Sequence, residues 1–321
     1  MKKLLTMTSV LLAGFFGTAQ ADVTVSGSAN LTAKSVGSKT VITNGGGIAF
    51  GLSTTLESGM TISAQGLSLE MDNEVAANSA AVALEDADRF YNITFGMGGS
   101  SLTVGQDVEI DYADMDVGGV AAAQTSTDIH TGTSAWTEGT ASGLGVAFST
   151  SMGAASISVG HVFDNAPAAG NSNDMNKAGA VSASAFKLSM PVGPLSASIG
   201  YHSDTTSSTG VNATAASVAY AIPAGGTLSL AYQVSDSKAA DTDAVRMSGK
   251  YATSLADGTA VAVGYTSTDQ DTKASTTDLE VSVSRSIGTG ASLFIDFHNR
   301  TGTTTANAGT SAVAVGTSVA F

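Results

Sequence analysis

The densest group of chemically capable side chains lies between Asp107 and Glu138. Asp107, Glu109, Asp111, Asp114 and Asp116 follow at intervals of two or three residues, Asp128 and Glu138 extend the series, His130 accompanies them, and no Lys or Arg interrupts. A run of this kind concentrates negative charge and draws cations towards any concave surface that carries it. Asp114-Met115-Asp116-Val117-Gly118 shares the start of a calcium loop but lacks the third oxygen ligand and the distal Glu of an EF-hand. Other chemistries fail on spacing. His161, His202 and His298 stand far apart, with no H-E-x-x-H or His-x-His arrangement to build a zinc site. Serine is abundant, but no G-x-S-x-G elbow presents one as a nucleophile, and no enzyme activity is expected.

The elements that position these residues follow from the ends and the composition. Met1, Lys2 and Lys3 give a positive start, Leu4 to Gly17 is largely apolar, and Ala19-Gln20-Ala21 fits a small-x-small cleavage pattern. Residues 1–21 therefore read as a signal peptide and residues 22–321 as the mature domain. Loss of two lysines from the 13 basic residues leaves 11 against 27 acids, a balance of −16. That charge disfavours nucleic acid as a partner and favours cations. With no cysteine, an exported chain must be held together by hydrogen bonds and packing. Charged residues make up only 12% of the chain, about half the usual share of a water-soluble domain. No apolar run after Gly17 is long enough for a membrane helix, so a membrane crossing requires strands.

Period-two alternation runs from end to end. Val23, Val25, Ala29 and Leu31 share one parity against Thr24, Ser26, Ser28 and Asn30, and Leu228, Leu230, Tyr232 and Val234 repeat the pattern. Sixteen such segments begin near residues 22, 47, 60, 90, 100, 143, 154, 179, 194, 212, 225, 243, 258, 276, 290 and 310. Short connections such as Glu57-Ser58-Gly59 alternate with long ones rich in Asp, Thr and Ser. The expected fold is all-β, a transmembrane antiparallel β-barrel of about 16 strands, with tight turns at one end and long loops at the other. Phe163, Tyr201, Tyr265 and Phe297 are expected near the loop end and Tyr220 and Tyr251 near the turn end, as interfacial girdles. Small residues Ser282, Ser284, Ala260 and Ala262 would leave room for water inside.

The alternating end Val313, Val315, Val319 and Phe321 resembles the terminal signature by which outer-membrane proteins are inserted, and the stretch Leu102-Thr103-Val104-Gly105-Gln106-Asp107 precedes the longest connection, the third long one in order. In these features the chain is similar to the Gram-negative outer-membrane general-diffusion porins, above all the short porins of alphaproteobacteria. The resemblance implies an outer-membrane location, contact with the lipid bilayer and the assembly machinery, a homotrimer, and passive passage of ions and small solutes. It implies further that the third loop folds into the barrel, with Glu109, Asp111, Asp114, Asp116 and Asp128 at a cation-preferring constriction. No cofactor is expected beyond a weak Ca²⁺ site at the loop carboxylates, which some porins of this type carry. Opposite the loop the family sets a basic ladder. This sequence supplies only Lys34, Arg89, Lys187, Arg246, Lys250 and Arg300, a thinner set than the family pattern. Two rival readings share the composition: a secreted or surface-layer adhesin, and a substrate-specific channel of the same fold.

Overall fold

The computed structural model describes residues 22–36, 39–73, 83–84, 92–110, 141–164, 182–204, 210–223, 225–237, 243–271, 273–302 and 311–320. The signal-peptide reading of residues 1–21 and the terminal Phe321 lie outside them.

The strands are β1 (Asp22–Val36), β2 (Lys39–Thr55), β3 (Thr61–Asn73), the two-residue β4 (Ala83–Leu84), β5 (Asn92–Met97), β6 (Ser100–Ile110), β7 (Ala141–Met152), β8 (Ala155–Asp164) and β9 (Ala183–Val192). They continue as β10 (Leu195–Asp204), β11 (Val211–Ala221), β12 (Thr227–Ser237), β13 (Ala244–Ser254), β14 (Thr259–Gln270), β15 (Lys273–Gly288), β16 (Ala291–Thr301) and β17 (Ser311–Ala320). Each pairs antiparallel with its neighbours, and β4 and β5 both pair with β3, so together they form one stave of sixteen. β1 closes the ring by pairing with β17 from Ser28↔Ala320 to Val36↔Ala312. Closure removes both sheet edges, which hydrocarbon would otherwise leave without hydrogen-bond partners.

The alternation in sequence becomes an inside and an outside. On β16, Leu293 and Ile295 are exposed while Phe294, Asp296, His298 and Arg300 are buried. On β12, Leu228, Leu230, Tyr232 and Val234 face out, and Gln233 and Ser235 face in. The outward residues form an apolar band far larger than a water-soluble monomer exposes. Tyr201, Tyr265 and Phe163 stand in it towards the long connections and Tyr251 towards the short turns, as girdle placement requires.

Short turns lie at one end, with Asp22 and Ala320. Gly290 shows why glycine is needed there. It has φ 72°, and a Cβ at this position would lie 2.2 Å from the Ala320 carbonyl oxygen. Its own carbonyl accepts the Ala320 N–H at 2.7 Å, tying the last strand to a neighbouring turn. In the Leu255–Gly258 turn, the Thr259 N–H donates to Asp257 at 3.1 Å, and Arg285 reaches the same carboxylate at 3.5 Å. The Thr259 hydrogen bonds, with a smaller contribution from Arg285, hold the Asp257 carboxyl below the usual carboxylate range.

Two outcomes follow. Ile295→Arg, on the lipid face, should lower stability in vesicles by up to about 2–4 kcal/mol, whereas Ser282→Arg on the inner face should cost much less. Equal costs in equilibrium urea unfolding would show that the two faces are misassigned. A depressed carboxyl stabilises the fold above its ordinary unfolded value, and the contribution is lost as pH falls through the folded value. Between about pH 4 and about pH 2 the wild type should therefore lose stability more steeply than Asp257→Asn, measured by unfolding midpoints across pH.

Candidate pore lining

Inner-face residues form rows that cross the strands at a common level. One row runs Ser158, Lys187, Gly200, Ala215, Gln233, Arg246 and Thr268. A lower one includes Ser229, Lys250, Gly264, Glu280, His298 and Ala312. Most positions are Ser, Thr, Ala or Gly, whose short side chains keep the interior open. Towards the turn end a recess of about 450 Å³ is lined by Thr227, Ser254, Ala260, Ala262, Ser282 and Ser284. Hydroxyls pair across the wall, as in Ser198 to Ser189 at 2.7 Å and Ser101 with Ser149 at 2.8 Å.

Two features interrupt this lining. The first is at the end of β6. Up to Gly105 the strand keeps Leu102 and Val104 outward, but the register passes from Gly105↔Gly145 to Val108↔Gly143, so one extra residue on β6 forms a bulge. The bulge reverses parity and turns Val108 and Ile110 inward. There they are buried against Val162 of β8 and Ala183 and Ala185 of β9, with Ala147 of β7 alongside. An apolar cluster reaching across β7 to β9 can form only over the inner surface, so the root of the longest connection lies inside the barrel.

The second is a charged cluster on β15 and β16. The cross-strand pairs Asp278↔Arg300 and Glu280↔His298 place four titratable side chains together on the inner face. His298 Nε2 lies 2.9 Å from Asp278 Oδ1 and 3.7 Å from Glu280 Oε1, and Arg300 Nε lies 3.5 Å from the same Asp278 oxygen. Asp296 adjoins on β16. His298 and Asp296 have no exposed surface, and Asp278, Glu280 and Arg300 retain 7–8%. Charges so far withdrawn from water are made tolerable by such pairing, with His298 and Arg300 beside Asp278 and His298 near Glu280.

A family model described as Gram-negative porin matches residues 8–316. The chain belongs to the Gram-negative porin family. It is an outer-membrane β-barrel protein of the diffusion-channel class. No curated protein sequence matches it. Among solved structures, this porin is similar to the trimer form of OmpT of Vibrio cholerae, with 11% identity, a TM-score of 0.65, and coverage of 94% of this chain and 99% of that one. It is likewise similar to a variant of the Rh. blastica porin, with 14% identity, TM-score 0.60 and coverage of 94% and 100%. A Salmonella typhi OmpF complex with daunomycin gives 10%, 0.67, and 93% and 97%. At such identities the likeness is one of fold.

Of the residues expected at the constriction of this porin, Glu109 lies at the end of β6 with its backbone paired to Ser142, and its side chain is outside the described residues. Asp111, Asp114, Asp116 and Asp128, and with them the carboxylates considered for Ca²⁺, are also outside, as is Arg89. Lys34 pairs through its backbone with Ala314 and Val41. Lys187, Arg246, Lys250 and Arg300 all occupy the inner face, but from β9 to β16 they are spread around the wall, and Arg300 is paired with Asp278. Asp278, Glu280 and Asp296 were not among the expected site residues, and His298 reads as isolated in sequence. The usable signal is positional: Asp278-Leu279-Glu280 and Asp296-Phe297-His298-Asn299-Arg300 put charges on alternate residues of consecutive strands.

Removing the buried Ile110 side chain by Ile110→Ala should cost about 2–5 kcal/mol, against a smaller loss for the lipid-facing Leu102→Ala on the same strand. Matching losses in urea unfolding would argue that the β6 root is not packed.

Proposed function

We propose that this porin is a passive channel for ions and small hydrophilic solutes, with a preference for cations, that works as a homotrimer and catalyses no reaction. The observation carrying the charge preference is the inward packing of Val108 and Ile110. It roots, inside the barrel, the stretch whose acids from Asp107 to Glu138 have no basic residue among them. The described part of the wall gives little such bias. Its described inner-face side chains set Asp22, Asp204, Asp278, Glu280 and Asp296 against Lys187, Arg246, Lys250 and Arg300, a near balance. Selectivity then falls to the loop, and Asp111, Asp114 and Asp116 are the residues on which the reading depends. The trimer form of OmpT supports the oligomeric assignment by likeness of fold. A weak Ca²⁺ interaction at the same loop carboxylates is part of this reading.

The test is reversal potential in a planar bilayer under a salt gradient at about pH 8, where carboxylates are ionised. The wild type should favour cations, and the triple change Asp111→Asn, Asp114→Asn, Asp116→Asn should reduce that preference by about two- to tenfold. Anion preference in the wild type would overturn the reading.

A further inference from the structure

We propose that His298 is a specificity-determining residue of this channel, a proton-responsive charge in the pore wall through which external acidity adjusts ion preference. The idea rests on the channel reading above and extends it to a part of the wall remote in sequence from the loop.

The geometry is specific to His298. Its Nε2 faces two carboxylates from β15, Asp278 at 2.9 Å and Glu280 at 3.7 Å. On its own strand Asp296 and Arg300 occupy the adjacent inner-face positions. The described inner-face residues of β17 beside it, Ala312 and Ala314, carry no charge, and beyond β15 the β14 positions Gly264 and Thr266 are likewise uncharged. The next charged positions are Lys250 and Arg246 on β13 and, beyond β17, Lys34 on β1, whose backbone pairs with Ala314. With neutral His298, the group of Asp278, Glu280, Asp296 and Arg300 carries −2, and protonation makes it −1.

That step matters because the described inner-wall charges are nearly balanced. One added proton brings the described inner-wall charges from five acids against four bases to neutrality, in a lumen bounded by hydrocarbon where fields are focused. Histidine is the side chain that ordinarily changes charge between about pH 5 and 8, a range in which carboxylates and amines hold theirs. His202, the other described histidine on the inner wall, is placed differently. Its cross-strand partners are Ala185 and Ala213, and Asp204 is the nearest charged residue on its strand. His161 faces outward, its Nδ1 against Ser184 at 2.8 Å and its ring edge-on to Phe163.

The experiment uses the full-length channel in planar bilayers, with potassium chloride as the only permeant salt, and reads reversal potential at about pH 8 and about pH 5. Wild-type cation-to-anion permeability should fall by about two- to tenfold on acidification. His298→Gln keeps an amide donor for Asp278 and should remove most of that change while leaving heat-modifiability intact. His202→Gln and His130→Gln should keep the wild-type response. The proposal is overturned if His298→Gln responds to pH as the wild type does, or if His202→Gln or His130→Gln abolishes the response instead. Failure of the cation-preference reading is separate: it appears as anion preference of the wild type at the higher pH, and the comparison between the two pH values still decides the role of His298.

Discussion

Everything in this molecule depends on one requirement: within hydrocarbon, each backbone N–H and C=O must meet a partner in the protein itself. The pairing of β1 with β17 satisfies it by leaving no sheet edge, and the link from Ala320 to Gly290 extends the seal to the turn end. Once the sheet is closed, period-two alternation has only one meaning. One parity must be apolar because it meets lipid, and the other is released to line water. The low charge content and the rarity of proline follow, since proline would remove a ladder hydrogen bond and a charge on the wrong parity would meet acyl chains.

The released parity is where function can vary, and this porin uses it unevenly. Most inner positions are small and neutral. Charges are few and largely matched, and the tightest match is the Asp278, Glu280, His298 and Arg300 group, where the acids of one strand lie directly opposite the bases of the next. A matched wall costs little desolvation but offers little bias to a passing ion. The proposed cation preference therefore looks elsewhere in the sequence, to the acids from Asp107 to Glu138 that have no basic residue among them.

How far the sequence discloses this differs by level. Strand count and the facing of residues such as Leu230 and Ser282 were legible, because period two is a local property. The β1–β2 and β14–β15 connections, expected to be long, span two residues each because their strands run on through the polar stretches. Lys187, Arg246, Lys250 and Arg300 were placed on the correct face by parity alone. The pairing of His298 with Asp278 was not legible, because it depends on register between two strands joined by a turn that carries a bulge at Ser286 to Gly288. The inward turn of Val108 and Ile110 was hidden for a related reason. Simple alternation carried on from Leu102 and Val104 would send both residues to the lipid, and only the extra residue on β6 reverses them.

That extra residue gives β6 a double allegiance. Below it the strand belongs to the membrane barrier, and above it the same strand belongs to the interior, with no helix, hinge or disulfide needed for the change. Counting, more than chemistry, sets what the β6 root is. Loss of Gln106 would take out the extra residue and leave Val108 opposite Gly143 and Ile110 opposite Ala141 in an unbroken ladder, both still facing inward. The inward facing of this root thus depends on its register with β7, and the bulge is how a strand one residue too long for that register keeps it.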